Sequence, residues 1–311
     1  MILCLGPTPA AQRVMAFRKM TLDAVNRAVT TVDGAAGKSI NVAKVLKALG
    51  ERPLATGFLG GDRGIELHRW LKERRIETDF VRVGPQTRQC ITVIDQSAGS
   101  QTELVEESQP LAGIDYAKLM VIIARRASRC RALVMSGTIT PGGPPDLYAR
   151  CTRLARRAGA LAVVDAQGRA LTEALKAKPA LVKPNRAELG MTLGCELKNE
   201  AGVRRAMCDL HERGAQRIVV TAGKHPVLAF DGRAFWRIHS PRIIALNPIG
   251  SGDAFTAALV WRLLRGEDLG EAARWGAAAG AANALTMMAG QVGLKTVERL
   301  VKEVHIEHLR G

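Results

Sequence analysis

One segment of the chain combines residue types that can accept a proton and stabilise negative charge. It reads NPIGSGDAF over residues 247–255, and residues 256–264 after it have a good helical pattern. The Gly-Ser-Gly turn at 250–252 would present backbone N–H groups at a helix N-terminus, where the helix dipole favours an anion. Such a turn can stabilise a transferring phosphoryl group, and Asp253 beside it can accept the proton of an attacking hydroxyl. The alternative is a glycine-rich turn in which Asp253 is only the helix N-cap.

Strand-like and helix-like patterns alternate along most of the chain, which predicts the scaffold for this segment. Residues 42–49 have apolar side chains at the spacing of one helical face, and Gly50 ends that helix. The sequence therefore predicts an α/β fold with a mostly parallel sheet and helices on both faces. Ligands bind beyond the carboxyl ends of such strands. Apolar runs typical of buried parallel strands cover residues 131–136, 160–165, 180–183 and 217–221.

One region interrupts the alternation. Residues 80–83, 89–95 and 101–106 are strand-like with no helical pattern between them. With parts of residues 8–33 they would form a small separate sheet, a lid made by segments near 8–33 and 79–108. Such a lid can close over a substrate and exclude water, and an edge sheet or a dimer contact is the alternative. We expect residues 1–311 to form one domain that carries this lid.

The charge of the chain bears on its partners. The net charge is +16, from 45 Lys and Arg against 29 Asp and Glu, with a local cluster at Arg125, Arg126, Arg129 and Arg131. Nucleic-acid binding is one interpretation. However, the cations are spread along the chain, and aromatic residues, at 4%, offer few stacking platforms. We therefore favour an anionic small-molecule substrate and expect no nucleic-acid partner.

Cysteines and apolar segments indicate a cytoplasmic protein. The six cysteines are scattered and form no zinc-site spacing, as expected for free thiols in a reducing compartment. The N-terminus lacks a basic leader and predicts a first strand, and the apolar stretch at 276–290 is too short to span a bilayer. That stretch is predicted to be a buried helix, and no membrane association is expected.

Several further segments carry a family resemblance. Residues 36–50 (AGKSINVAKVLKALG) resemble the first signature of the phosphofructokinase-B, or ribokinase-like, carbohydrate kinases, and residues 247–255 resemble the second. Segments 56–61, 87–88, 136–137 and 183–188 follow in family order, so the resemblance covers essentially the whole chain. Residues 25–28, 87–88 and 102–106 are similar to the branch that phosphorylates hexose phosphates: 1-phosphofructokinase, type-II 6-phosphofructokinase and tagatose-6-phosphate kinase.

The resemblance implies a ribokinase-like fold and ATP- and Mg²⁺-dependent phosphorylation of fructose 1-phosphate, fructose 6-phosphate or tagatose 6-phosphate. It implies that Asp253 is the general base, aided by Gly250, Ser251 and Gly252. It assigns the substrate to Gln12, Arg27, Gly37, Lys38, Asn41, Arg88 and Ser136. It assigns the nucleotide to Lys183, Asn185, Thr221, Gly223 and Asn283, and the metal to Asn185 and Glu188. A homodimer through the lid is the expected assembly.

Each assignment has a structural alternative. Arg27, Lys38 and Arg88 suit a phosphate, because Arg offers paired donors and Lys a compact charge, but all three could be ordinary solvated cations. Asn185 and Glu188 also have the spacing of a helix capping box. Asn283 on a helix of small residues could be satisfied by packing. His305 and His308 have a metal-like spacing, but we expect them to be solvated side chains of a charged terminal helix.

The sequence departs from the family at the sugar site. The turn at 36–39 reads Ala-Gly-Lys-Ser where the family usually has Gly-Gly-Lys-Gly. If Ala36 or Ser39 needs a positive φ, the cost is about 1 kcal/mol or more. Gln12 aligns with an Asp that grips sugar hydroxyls, so a charge-assisted acceptor is lost. Two other functions therefore stay open: a kinase of an unphosphorylated sugar or nucleoside, and a catalytically silent sugar-phosphate-binding regulator.

Overall fold

The computed structural model describes residues 1–309, which contain fifteen β-strands and ten α-helices. A 3₁₀ turn, Val301–Glu303, lies between the last helix and the last strand. In chain order the elements are β1 (Ile2–Gly6), β2 (Ala10–Phe17), β3 (Thr30–Ala36), α1 (Lys38–Ala48), β4 (Pro53–Gly60), α2 (Gly61–Glu73), β5 (Glu77–Thr78), β6 (Val81–Val83), β7 (Arg88–Asp95), β8 (Ser100–Val105), α3 (Gly113–Ala127), β9 (Ala132–Ser136), α4 (Leu147–Arg157), β10 (Leu161–Asp165), α5 (Gly168–Leu175), β11 (Leu181–Val182), α6 (Arg186–Leu193), α7 (Glu200–Glu212), β12 (Ile218–Ala222), β13 (His225–Phe230), β14 (Phe235–His239), α8 (Ser251–Leu263), α9 (Leu269–Ala284), α10 (Leu294–Leu300) and β15 (His305–Leu309).

The large sheet has eleven strands in the order β15-β14-β13-β12-β11-β10-β9-β1-β4-β5, with β6 also paired to β4. All neighbours from β12 to β5 are parallel, and β13, β14 and β15 continue the sheet in antiparallel pairs. The chain first adds β4 on one side of β1 and later β9 on the other. In open α/β sheets, the crevice for a ligand forms at such a point, beyond the carboxyl ends of the strands.

Helices cover both faces of this sheet. One core cluster contains apolar side chains of α1, α2, α8, α9 and α10, and the other contains those of α3 to α7. Every residue of β1 is buried, as expected for a parallel strand that has a helical layer on each side. This explains why the strands read as continuous apolar runs in the sequence. The predicted α/β fold is confirmed.

The lid is a separate four-stranded sheet in the order β3-β2-β7-β8. Along β2, buried Gln12 and Val14 alternate with exposed Arg13, the pattern of a strand with one covered face. The covered face packs Val14 and its neighbours on Met288, in the turn after α9. The small sheet predicted from the sequence is therefore confirmed.

Three local predictions are wrong. Residues 80–83 do not join the lid, because Val81–Val83 pair in parallel with β4 and Val81 is buried in the main core. The terminal segment at 305–308 is not a helix: it pairs with β14 as an edge strand, and edge pairing outweighs its local pattern. The buried helix predicted at 276–290 ends at Ala284, and residues 285–290 form turns and bends.

The turn before α1 adopts its shape without strain at its two unusual residues. Gly37 has φ 106°, whereas Ala36 and Ser39 are not among the residues with positive φ. A Cβ added to Gly6 would lie 2.2 Å from Ser39 Oγ. Gly6 on β1 therefore provides the space for the Ser39 side chain.

Two features bear on the environment of the chain. Four of the six cysteines are buried as free thiols, Cys208 is half-buried, and Cys195 is exposed. Within the described part of the chain, no helix has the length and apolar character needed to cross a membrane.

Candidate active site

Parallel strands end at one edge of the large sheet and bring polar residues together there. Ser136 ends β9, Asp165 ends β10, and Lys183 follows β11, and all three are at most 3% exposed. α1 and α8 begin at the same edge because each follows a turn that returns to it. The side chains gathered in this way are Lys38, Asn41, Ser136, Asp165, Lys183, Glu188 and Asp253.

The turn before α8 presents unpaired backbone donors. Gly250 is the N-cap, with φ 84°, and a Cβ there would lie 2.6 Å from Ala289 Cβ, so only glycine fits. The N–H groups of Gly250 and Gly252 find no acceptor within residues 1–309, whereas that of Ser251 bonds Pro248 O. Two free amides at a helix N-terminus can bind an anion.

Asp253 lies in the first turn of α8 and is 6% exposed. Its Oδ2 accepts a hydrogen bond of 2.8 Å from Asn41 Nδ2. Burial and the nearby carboxylate of Asp165 raise the pKa of Asp253 to about 7, although Lys38, the Asn41 amide and Lys183 act in the opposite direction. A carboxyl group with a pKa near neutrality suits a general base.

Asp165 is the centre of a buried ion cluster that sequence reasoning did not assign to the site. It contacts Lys38 at 3.2 Å and Lys183 at 3.1 Å, and it accepts a 3.0 Å bond from Thr256 Oγ1. Burial opposes ionisation of Asp165, but the two lysines outweigh it and lower its pKa. The sequence feature that could have pointed to Asp165 is its position as a charged residue at the end of an otherwise apolar strand, residues 160–165.

Lys38 is held by carboxylates on two elements. Its Nζ lies 3.2 Å from Asp165 and 2.9 Å from Glu188. Burial alone would lower the pKa of Lys38, but these carboxylates, together with that of Asp253, raise it. Lys38 therefore stays charged and balances the acidic groups at the carboxyl edge of the sheet.

Asn185 and Glu188 form the capping box that was the alternative interpretation of their spacing. Asn185 Oδ1 accepts from Glu188 N, and Glu188 Oε2 accepts from Asn185 N, both at 2.8 Å. Within residues 1–309, no cluster of three or more His, Cys, Asp and Glu could hold a metal by itself. Mg²⁺ usually takes one or two carboxylates and completes its shell with phosphate oxygens and water. Asn185, Glu188 and Asp165 offer oxygens of the type that Mg²⁺ binds, and in the structure these oxygens accept from Lys38, Lys183, Thr256 and the backbone N–H groups of the capping box.

A cleft of about 1520 Å³ opens beside the Gly250–Gly252 turn. Its lining is mostly small or apolar and includes Ala277 and Ala281 of α9. Asn185, Thr221, Gly223, Ser251 and Gly252 line its polar part. A cleft of this size and character can hold a nucleotide, with its phosphates at the turn.

Asn283 lies behind this cleft rather than in its lining. It is fully buried, its Nδ2 donates to Ile249 O and Ser251 Oγ, and its Oδ1 accepts from Gly290 N. These bonds hold the turn before α8 in place. Its assignment to the nucleotide stays a prediction.

The other side of the edge lies under the lid. Arg88 donates from Nε and Nη2 to Thr8 O and from Nη1 to Glu106 O. Gln12 is buried, and its Nε2 donates to Thr92 Oγ1 at 2.7 Å. Among residues 1–309, three buried side-chain polar atoms have no hydrogen-bond partner, and two of them, Asn41 Oδ1 and Ser136 Oγ, belong to this group of residues. Unpaired buried acceptors and donors of this kind suit the hydroxyl groups of a sugar.

Within one chain, Arg27 does not lie beside Arg88 and the other residues assigned to the substrate. It is exposed in the loop between β2 and β3, and the nearby Val29 N bonds Ala16 O at the far end of β2. Arg88 pairs with Ala10 at the near end. Six residues of extended strand separate those ends by about 20 Å.

Ion pairs compensate part of the basic cluster found in the sequence. Arg125 and Arg126 both contact Asp79, and Arg131 contacts Glu51. Two carboxylates therefore offset part of the charge of this four-arginine cluster.

Comparisons with known proteins identify the fold and the family. The fold is similar to that of ribokinase from Arabidopsis thaliana, with a TM-score of 0.75 at 18% identity and 97% of each chain covered. The sequence pattern of the pfkB family carbohydrate kinases matches residues 2–295, and the chain belongs to this family. It is therefore an ATP-dependent carbohydrate kinase.

Individual relatives resemble the chain along its length. Tagatose-6-phosphate kinase of Staphylococcus epidermidis is 29% identical over 309 residues, 98% of this chain and 99% of the relative. A solved structure from Thermotoga maritima, named a possible 1-phosphofructokinase, is 25% identical, with a TM-score of 0.92 and 99% of each chain covered. Phosphofructokinase-2 of Escherichia coli, solved with fructose-6-phosphate, is 25% identical, with a TM-score of 0.85 and 97% of each chain covered.

The raised pKa of Asp253 predicts a stability difference. A carboxyl group with a folded-state pKa of about 7 and an ordinary value of 3.8 binds its proton more tightly when folded. As pH rises from about 4 to 7, the unfolded chain gives up this proton while the folded protein still holds it. The free energy of unfolding therefore falls over this range, by up to about 4 kcal/mol at pH 7 and above. Asp253→Asn keeps an acceptor for Asn41 and removes this penalty. We expect the variant to melt higher than the wild type at pH 8, with a smaller difference at pH 5.

Thermal melting monitored by circular dichroism at the two pH values measures this. Asp231→Asn, in the β13–β14 turn, is the control for a general Asp-to-Asn effect. A difference between Asp253→Asn and wild type that is the same at pH 5 and pH 8 would contradict the raised pKa.

Proposed function

We propose that this kinase transfers the γ-phosphoryl group of ATP to a hydroxyl of a hexose phosphate, with Asp253 as the general base. One observation carries the proposal: a buried carboxyl group with a pKa of about 7 adjoins a turn with two free backbone N–H groups. The base and the anion site then lie at the same helix end, where an acceptor hydroxyl and a transferring phosphoryl group could meet. Asn41 orients the carboxylate through its bond to Oδ2.

The transfer uses these groups in a single step. Asp253 takes the proton of the acceptor hydroxyl. At the same time the hydroxyl oxygen forms a bond to the γ-phosphorus, and the bond from that phosphorus to the ADP oxygen breaks. The N–H groups of Gly250 and Gly252 stabilise the charge on the transferring group. Lys183 lies close to the same turn, because its Nζ would be 3.7 Å from a Cβ added to Gly252. A pKa of about 7 lets Asp253 both ionise and accept a proton near neutral pH.

ATP would occupy the cleft beside this turn. The small residues of α9 and the Thr221–Gly223 turn leave space for the nucleotide, and the phosphates would point to the start of α8. Asn185, Glu188 and Asp165 would hold Mg²⁺ together with the phosphates. The metal would neutralise phosphate charge and orient the γ-phosphoryl group. Lys38 already contacts two of these carboxylates, so it would share them with the metal.

The sugar phosphate would bind between the strand edge and the lid. Asn41 Oδ1 and Ser136 Oγ, which lack partners, would bond sugar hydroxyls, and we assign Gln12 of the lid strand β2 to the same substrate. Arg88 would bind the phosphate by exchanging its bonds to two backbone carbonyls for bonds to phosphate oxygens, which are stronger because both partners are charged. Relatives named for tagatose 6-phosphate and fructose-6-phosphate support a phosphorylated hexose.

The lid also supports the proposed homodimer. Leu104 and Val105 on its outer strand β8 are about half exposed, at 54% and 46%. A second copy of the chain could cover them. The assignment of Arg27 to the phosphate stays a prediction, since one chain holds it apart from Arg88.

An ADP-release assay tests the reaction. With Mg-ATP we expect turnover of fructose 6-phosphate, fructose 1-phosphate or tagatose 6-phosphate, and not of fructose, ribose or adenosine. Asp253→Asn should lower kcat by at least 100-fold, since it removes the base while keeping the fold. Asp231→Asn is again the matched control. Near-normal turnover by folded Asp253→Asn would contradict the proposed base, and turnover of free sugars alone would contradict the phosphate site.

Substitution of Arg88 tests the phosphate contact. Arg88→Ala should raise KM for the sugar phosphate at least tenfold, because a charged hydrogen bond contributes roughly 1.5–3 kcal/mol. KM for ATP should change little, since Arg88 lies under the lid and away from the cleft. Steady-state kinetics would compare it with Arg82→Ala, an exposed arginine on β6. Equal KM values for the sugar phosphate in the two variants would remove Arg88 from the site.

A further inference from the structure

Lys44 is a buried cation that the proposed reaction does not use. It lies on α1 and is 7% exposed, and no carboxylate among residues 1–309 is within ion-pair distance of it. Its ammonium donates instead to two backbone carbonyls, Ala35 O at 3.0 Å and Ala289 O. Burying an ammonium without a counter-ion is unfavourable. If packing alone mattered here, an apolar side chain would serve better.

The two carbonyls belong to segments that flank the candidate site. Ala35 is on β3, the strand that returns from the lid to α1. Ala289 is in the turn after α9 and lies against Gly250, so closely that a Cβ on the glycine would be 2.6 Å from the Cβ of Ala289. Lys44 therefore connects the base of the lid to the support of the phosphoryl-binding turn.

The charge of Lys44 is coupled to the candidate base. Burial lowers the pKa of Lys44 to about 7, Arg74 of α2 acts in the same direction, and the carboxylate of Asp253 on α8 opposes both. The ring of Trp70, also on α2, lies 5.2 Å from the Lys44 ammonium and stacks on Arg74. Because opposite charges favour each other, ionised Asp253 favours protonated Lys44, and protonated Lys44 favours ionised Asp253.

We propose that Lys44 is a positioning residue for phosphoryl transfer: it holds the lid base and the Gly250 turn in one arrangement and favours the ionised form of Asp253. It touches neither ATP nor sugar in this account. The inference rests on the proposed role of Asp253. Its consequence is that loss of Lys44 lowers kcat much more than it changes KM for ATP, because Lys44 itself does not line the nucleotide cleft.

The test compares Lys44→Met with Lys47→Met, an exposed lysine near the end of the same helix. Lys44→Met keeps the length of the side chain but removes its charge and donors. We expect its kcat to fall at least tenfold against Lys47→Met, with KM for ATP within twofold. The titration midpoint of Asp253, followed by carbon NMR of the side-chain carboxyl, should move to higher pH. Lys44→Arg, which keeps the charge, should recover much of kcat and the wild-type midpoint.

The outcomes separate this inference from the proposed function. Turnover by wild type and Lys47→Met is expected, and its absence in both would contradict the proposed function. With those two active, a folded Lys44→Met whose kcat is within twofold of Lys47→Met would overturn the inference. An unmoved Asp253 midpoint, or an equal loss in Lys44→Arg, would also overturn it, because a packing role explains that result. If Lys44→Met does not fold, Lys44→Gln takes its place, and the same outcomes decide.

Discussion

The site depends on how charge is shared between two buried carboxyl groups, Asp165 and Asp253. Asp165 contacts Lys38 and Lys183 and has a lowered pKa, so it stays ionised. Asp253 lies in its field, receives one amide hydrogen bond, and has a pKa of about 7. Neighbouring environments thus push the two pKa values apart, the pattern by which proteins obtain a base that works near neutrality. This arrangement lowers the stability of the folded state, because that state holds an ionised carboxylate in a buried position.

This balance requires the scaffold. Asp165 and Lys183 are adjacent because β10 and β11 are parallel neighbours that end at one edge of the sheet. Asp253 faces them because Gly250 can adopt φ 84° and lie against Ala289. The lid completes the crevice, and its strand β3 leads directly into α1, which carries Lys38, Asn41 and Lys44. Movement of the lid would therefore affect both Asp253 and the phosphoryl-binding turn at 250–252.

The sequence predicted the features that are local. The turn at 250–252, the capping spacing of Asn185 and Glu188, and the apolar parallel strands each depend on residues within a short window. The contacts of Lys38 with Asp165 and Glu188 join positions 127 and 150 residues apart, so no pattern could show them. The role of Lys44 as a link was hidden for the same reason. At 305–308, pairing with β14 made a strand of a segment expected to be a helix.

The most direct test of this account is the titration of the Asp253 carboxyl group itself. Carbon NMR of aspartate-labelled wild type, with Asp253→Asn to assign the resonance, measures it in the absence of substrate. We expect a carboxyl resonance with a midpoint of about 7 that is missing from the variant. A midpoint for Asp253 close to the ordinary aspartate value of about 4 would contradict it, since the carboxylate would then be too weak a base for the charge balance described.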